Sequence, residues 1–123
     1  MKKYAVLAFL FLGISYFSQA QVVKKGNQAT ATIKVPTVQC DECKARIEKY
    51  VAHEEGILKV NVDYKKKVAV VTYLIDRTNV ENVKALIANV GYDADDVTAE
   101  PDAYKRLPTC CKKPEDGGGK EKH

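Results

Sequence analysis

The succession of apolar periods behind Cys43 limits most sharply what this chain can fold into. Ile47, Tyr50 and Val51 follow that cysteine at the fourth, seventh and eighth positions, the stripe of a helix lying on a core, and Gly56 supplies a turn after His53. The period then drops to two. Leu58, Val60 and Val62 alternate, a lysine-rich break runs from Lys65 to Lys67, and a β-rich run extends from Val68 to Leu74 with apolar residues on both alternating sets. A helical stripe returns at Val80, Val83, Ile87 and Val90, with Thr78 or Asn79 as its cap and Gly91 as its end. Ahead of Cys43, "ATATIKV" alternates with Ile33 and Val35 on one face, and "YDADDV" after Gly91 reads as a short last strand. The order is βαββαβ, an α+β ferredoxin-like arrangement of one four-stranded antiparallel sheet covered by two helices.

The first twenty residues, "MKKYAVLAFLFLGISYFSQA", place two lysines before an apolar run and finish on small residues at Ser18 and Ala20, the pattern of a cleaved export signal. The apolar core from Tyr4 to Ile14 is shorter than the roughly 20 residues of a bilayer-spanning helix. Expected boundaries are a signal at 1–20, a polar leader at 21–29, a domain at 30–98 and a Cys-containing, mostly flexible tail at 99–123. Pro101 to Leu107 can form a helical turn or two, and "KKPEDGGGKEKH" has nothing apolar to bury. With Lys2 and Lys3 removed, 18 basic residues face 16 acidic ones, which gives no reason to expect nucleic acid or an anionic membrane as partner. The mature form is expected in the periplasm or secreted, and not to span a membrane.

All 4 cysteines lie beyond that signal, an even number that in a short exported chain ordinarily means disulfides. Their clustering argues otherwise, because Cys40 and Cys43 are three apart and Cys110 and Cys111 adjacent. Cys40 falls in the loop before the first helix and Cys43 in its first turn, where the free N–H groups and helix dipole favour thiolate. Two thiolates that converge prefer thiophilic ions, and a site short of four ligands suits an ion that is picked up and handed on. Asp41 and Glu42 between them favour the helix N-terminus and, near two thiolates, a divalent ion over Cu(I). The tail pair allows extra sulfurs for the first site, a second ion, or a disulfide. Direct bridging of neighbours is strained, so a bridge from the tail to Cys40 or Cys43 is the more comfortable one.

The Cys-x-x-Cys after the first strand, the "KARIEK" helix behind it, "GILKVNV" and "ANVGYDA" together resemble the heavy-metal-associated domain over about residues 30–98. That module occurs in copper chaperones, metal-pumping ATPases and a periplasmic mercury-binding protein. The resemblance implies Cys40 and Cys43 as ligands for copper(I), mercury(II), zinc or cadmium, with Tyr92 beside the metal and a metal-transporting membrane protein or other metal-binding protein as partner. Where the family usually has Gly-Met-x-Cys this chain reads Thr37-Val38-Gln39-Cys40, and Val38 is expected to take over the methionine's packing.

Two functions of different classes lead, ahead of a small disulfide-stabilised interaction domain. One is a non-enzymatic metallochaperone, scavenger or transport component that exchanges a soft ion between thiolates. The other is a thiol-disulfide oxidoreductase with Cys40 attacking and Cys43 resolving. A thioredoxin-like context, with a second βαβ unit and a later proline beside the site, is not visible in the sequence.

Overall fold

A computed structural model describes residues 21–118, so the expected export signal lies outside the described residues, as does His123. The elements are β1 (Gln21–Lys25), β2 (Gln28–Lys34), α1 (Asp41–Ala52), β3 (Ile57–Asp63), β4 (Val68–Leu74), α2 (Val80–Val90) and α3 (Pro101–Lys105). The sheet is antiparallel throughout in the order β1-β2-β4-β3. Ala29, Ala31 and Ile33 of β2, Val62 of β3, and Ala69, Val71 and Tyr73 of β4 point to the core, where Ile47 and Val51 of α1 and Val83 and Ile87 of α2 cover them. This settles the inward face of β4, which its two-sided apolar pattern left open.

The four-stranded sheet with its two covering helices is as expected, but a different segment completes it. Gln21–Lys25, expected as a polar leader, pairs along β2 from Lys25↔Gln28 to Gln21↔Thr32 through a two-residue turn at Gly26 (φ 61°) and Asn27. "YDADDV", expected as the last strand, forms only the isolated bridge Ala94↔Val97. It meets β2 at one point: Asp95 N–H donates to the Lys34 carbonyl at 2.8 Å, and Lys34 N–H donates to Asp95 Oδ1 at 2.8 Å. Two causes combine. A hairpin with a two-residue loop closes at far less entropic cost than a strand returning from sixty residues away. Asp95 also adopts φ 51°, which breaks an extended run.

Two apolar positions depart from the sequence reading. Leu58 is 50% exposed because the β3–β4 register shifts between Ile57 and Lys59, a bulge that turns Leu58 outward and brings Ile57 against the core. Tyr50, read as part of the α1 stripe, is 46% exposed, and Cys43, Ile47 and Val51 alone form the buried face of that helix.

The segment after α2 is not a loose tail. Glu100 caps α3 by accepting from Ala103 N–H at 2.7 Å, and Glu100 N–H donates to Ala88 O at 2.9 Å. Ala103, Leu107 and Cys111 are buried, and short 3-10 turns form at Thr109–Cys111 and Pro114–Asp116. The Tyr104 hydroxyl accepts from Lys113 N–H at 2.9 Å and donates to Asp116, which folds the glycine-bearing end back as far as Gly118. The sequence showed a charged stretch with no apolar stripe; the segment is fixed by three buried residues and by local polar contacts instead.

Gly91 is where this segment rests. It ends α2 at φ 116°, and a Cβ there would lie 3.1 Å from both Ala103 O and Leu107 Cγ. Gly91→Ala is expected to cost about 2 kcal/mol from left-handed strain and crowding, read as a lower midpoint in urea.

Candidate metal centre

Cys40 is the N-cap of α1, with extended backbone (φ −153°, ψ 178°) and no side-chain capping bond, so its sulfur is not engaged by the helix it starts. One turn on, Cys43 is fully buried, and its sulfur lies 3.5 Å from that of Cys40. The pair the sequence singled out is thus brought together at the end of the core, above Val38, which is itself fully buried as expected of the residue replacing the family's methionine. The Val38 carbonyl accepts from the Lys67 ammonium, which ties the loop to the β3–β4 turn.

The tail thiols reach the same place. The Cys111 sulfur lies 2.7 Å from that of Cys43, and Cys110 lies 3.9 Å from Cys111. Cys40, Cys110 and Cys111 all fall within 4.8 Å of one another, and all four cysteines are free thiols. Cys110 donates to Glu42 Oε2 at 3.2 Å, while Asp41 is exposed to solvent. Glu42 also lies 3.9 Å from Arg46 one turn along α1.

Tyr92 is fully buried against this cluster. Its hydroxyl has no hydrogen-bond partner of ordinary geometry, and its ionisation is pushed far above the usual tyrosine range by burial and then by the Cys111 and Cys43 sulfurs. Thr37 sets the loop that carries Tyr92, its hydroxyl accepting from Asp93 N–H at 3.1 Å. Sequence reading missed Thr37. Its only signal was position, three residues before the first thiol and next to the replaced methionine.

The four thiols do not share one character. Burial, the strongest influence on Cys43, raises its pKa, but the adjacent Cys111 sulfur, the nearby Tyr92 hydroxyl and the backbone at Gln39 and Cys40 together outweigh it and bring the value below that of an ordinary thiol. Burial pushes Cys111 up, with the Cys43 sulfur adding to the shift. Cys110 is pushed up to about 11, chiefly by its bond to the Glu42 carboxylate. Cys43 is therefore the buried thiol best prepared to act as thiolate, with protonated neighbours able to donate to it. Soft donors at this spacing fit a thiophilic cation, and the unpartnered Tyr92 hydroxyl is a donor that a metal-bound thiolate would satisfy.

The chain is 35% identical over 63 residues to the mercuric transport protein periplasmic component of Shewanella putrefaciens, covering 51% of this chain and 69% of that protein. The crystal structure of oxidized MerP from Ralstonia metallidurans CH34 superposes with a TM-score of 0.52 at 31% identity, over 55% of this chain and 93% of that one. The CopZ metallochaperone shares the fold, with a TM-score of 0.51 at 23% identity over 53% of this chain and 97% of its own. Residues 32–93 match the heavy-metal-associated domain, and the chain belongs to that family.

Proposed function

We propose that the protein is an exported carrier of a soft metal ion, which it takes up between Cys40 and Cys43 and passes on by thiolate exchange. The observation that carries this reading is the 3.5 Å approach of the two sulfurs at the start of α1, one fully buried with a lowered pKa and the other half-exposed. Each has its task. Cys43 anchors the ion from the core side, and Cys40, free of any capping bond, is the ligand that an incoming thiolate of a partner displaces first. The ion is cargo in this scheme. As the ion passes to the partner, one sulfur–metal bond forms while one breaks, and no electrons change hands.

Mercury(II), copper(I), zinc and cadmium all suit sulfur donors. The name of the Shewanella relative supports mercury as a cargo, and the Glu42 carboxylate close to the thiols favours a divalent ion over Cu(I). The receiving partner is a metal-transporting membrane protein or another metal-binding protein. Export to the periplasm or beyond is supported by the first twenty residues and by the periplasmic relative. Among the described residues no helix is long and apolar enough to cross a membrane.

The test pits metal retention against redox activity. The reduced chain is expected to hold one thiophilic ion through dialysis, seen in native mass spectrometry, and to leave insulin disulfides intact. Insulin reduction by a chain that retains no metal would replace this reading with the oxidoreductase.

A further inference from the structure

We propose that Cys110 and Cys111 join Cys40 and Cys43 on a single divalent cation, so that the docked C-terminal segment closes a two-sulfur carrier site into a four-sulfur one. This rests on the reading of Cys40 and Cys43 as the metal site and adds the ligands that complete it.

Spacing supports it first. Tetrahedral coordination with metal–sulfur bonds of about 2.3 Å sets sulfurs roughly 3.8 Å apart. The observed separations are 3.5 Å for Cys40–Cys43, 3.9 Å for Cys110–Cys111 and 2.7 Å for Cys43–Cys111, with Cys40, Cys110 and Cys111 within 4.8 Å of one another. Reaching a tetrahedron requires the 2.7 Å Cys43–Cys111 pair to open by about 1 Å. The delivery is also built rather than accidental. Leu107 and Cys111 are buried, α3 rests on Gly91, and the chain between them leaves little slack for the tail thiols to wander.

A buried cysteine is ordinarily a small hydrophobe. Cys111 differs, because its sulfur faces another sulfur rather than hydrocarbon, and the neighbouring half-exposed Cys110 reaches the same cluster. The two arrangements suit different ions. Mercury(II) and copper(I) are satisfied by two thiolates, whereas zinc and cadmium seek four donors. Docking of the tail therefore selects for tetrahedral divalent ions and retains them, and its undocking restores the open pair from which an ion leaves.

Cadmium titration of the reduced chain, Gln21 to His123, tests this through the thiolate-to-cadmium charge-transfer absorbance, which scales with the number of cadmium–sulfur bonds. One ion per chain is expected, and the Cys110→Ser, Cys111→Ala variant should show about half the absorbance and bind cadmium roughly 10,000-fold weaker in chelator competition. Should Cys111→Ala fail to fold, Cys110→Ser alone, at a half-exposed position, should lose about a quarter of the signal. Undiminished absorbance in these variants, or two ions per wild-type chain, overturns the four-sulfur site while leaving the Cys40–Cys43 carrier intact. Undiminished uptake after serine replacement of Cys40 and Cys43 instead defeats the underlying reading, and this one with it.

Discussion

Serine at both Cys40 and Cys43 is expected to weaken binding of a thiophilic ion by roughly 10,000-fold or more. A closed sulfur site contributes about 10–16 kcal/mol of binding free energy, so each ligand carries on the order of 3 kcal/mol, or roughly a hundredfold in affinity. The two sites should not be equal. Cys43 is fully buried and surrounded by donors that favour its thiolate, whereas Cys40 is half-exposed. Cys43→Ser alone is thus expected to raise the dissociation constant more than Cys40→Ser. Competition against a chelator of known affinity reads both, with circular dichroism confirming the fold. Equal losses would show that burial and the surrounding hydrogen bonds do not distinguish the two thiols.

The second large effect lies away from the metal. Lys84, on the inner side of α2, is 5% exposed, with Asp95 Oδ2 3.7 Å away and itself 2% exposed. Asp96 and Glu81, both exposed, complete the group at 3.3 and 3.5 Å. Burial lowers the Lys84 pKa, but the Asp96 hydrogen bond and the Glu81, Asp96 and Asp95 charges outweigh it, and the net displacement is upward. Its stabilisation is therefore fully present below the ordinary lysine value of about 10.4 and is lost only as pH rises through the elevated one. Lys84→Met leaves the Asp95 carboxylate buried opposite hydrocarbon, at an expected cost of about 3 kcal/mol near neutral pH. Urea unfolding reads it. A loss well under 1 kcal/mol would mean that water reaches the carboxylate readily. Because Asp95 also holds Lys34 N–H, the same variant should loosen the junction between β2 and the loop that carries Tyr92.

The parts of the fold that were legible in the sequence are those where period and burial coincide. Cys43, Ile47 and Val51, then Val83 and Ile87, mark faces that no other packing could use, and both helices follow from them. The strand β1 left little trace, since an edge strand with Val22 half-buried and Lys24 and Lys25 exposed resembles a polar leader in composition. The short run after Gly91 had strand-like residues, but whether it paired depended on whether the edge of β2 was already taken. The pair Cys40 and Cys43 was legible because helix onset and spacing are local. The approach of Cys110 and Cys111 was only one of the outcomes the sequence left open, because it depends on Leu107 and Ala103 settling against Gly91, an event of tertiary packing. Lys84 was hidden for the same reason: its partners Asp95 and Asp96 come from beyond the helix.

The hairpin at the amino end has a consequence for the carboxyl end. Since Gln21–Lys25 fills the outer lane beside β2, the stretch following α2 is excused from ladder duty after one exchange with Lys34. That exemption frees the backbone to climb over the helical layer toward Cys43, a route closed to a segment pinned along a sheet margin. An economy at one terminus thus becomes reach at the other.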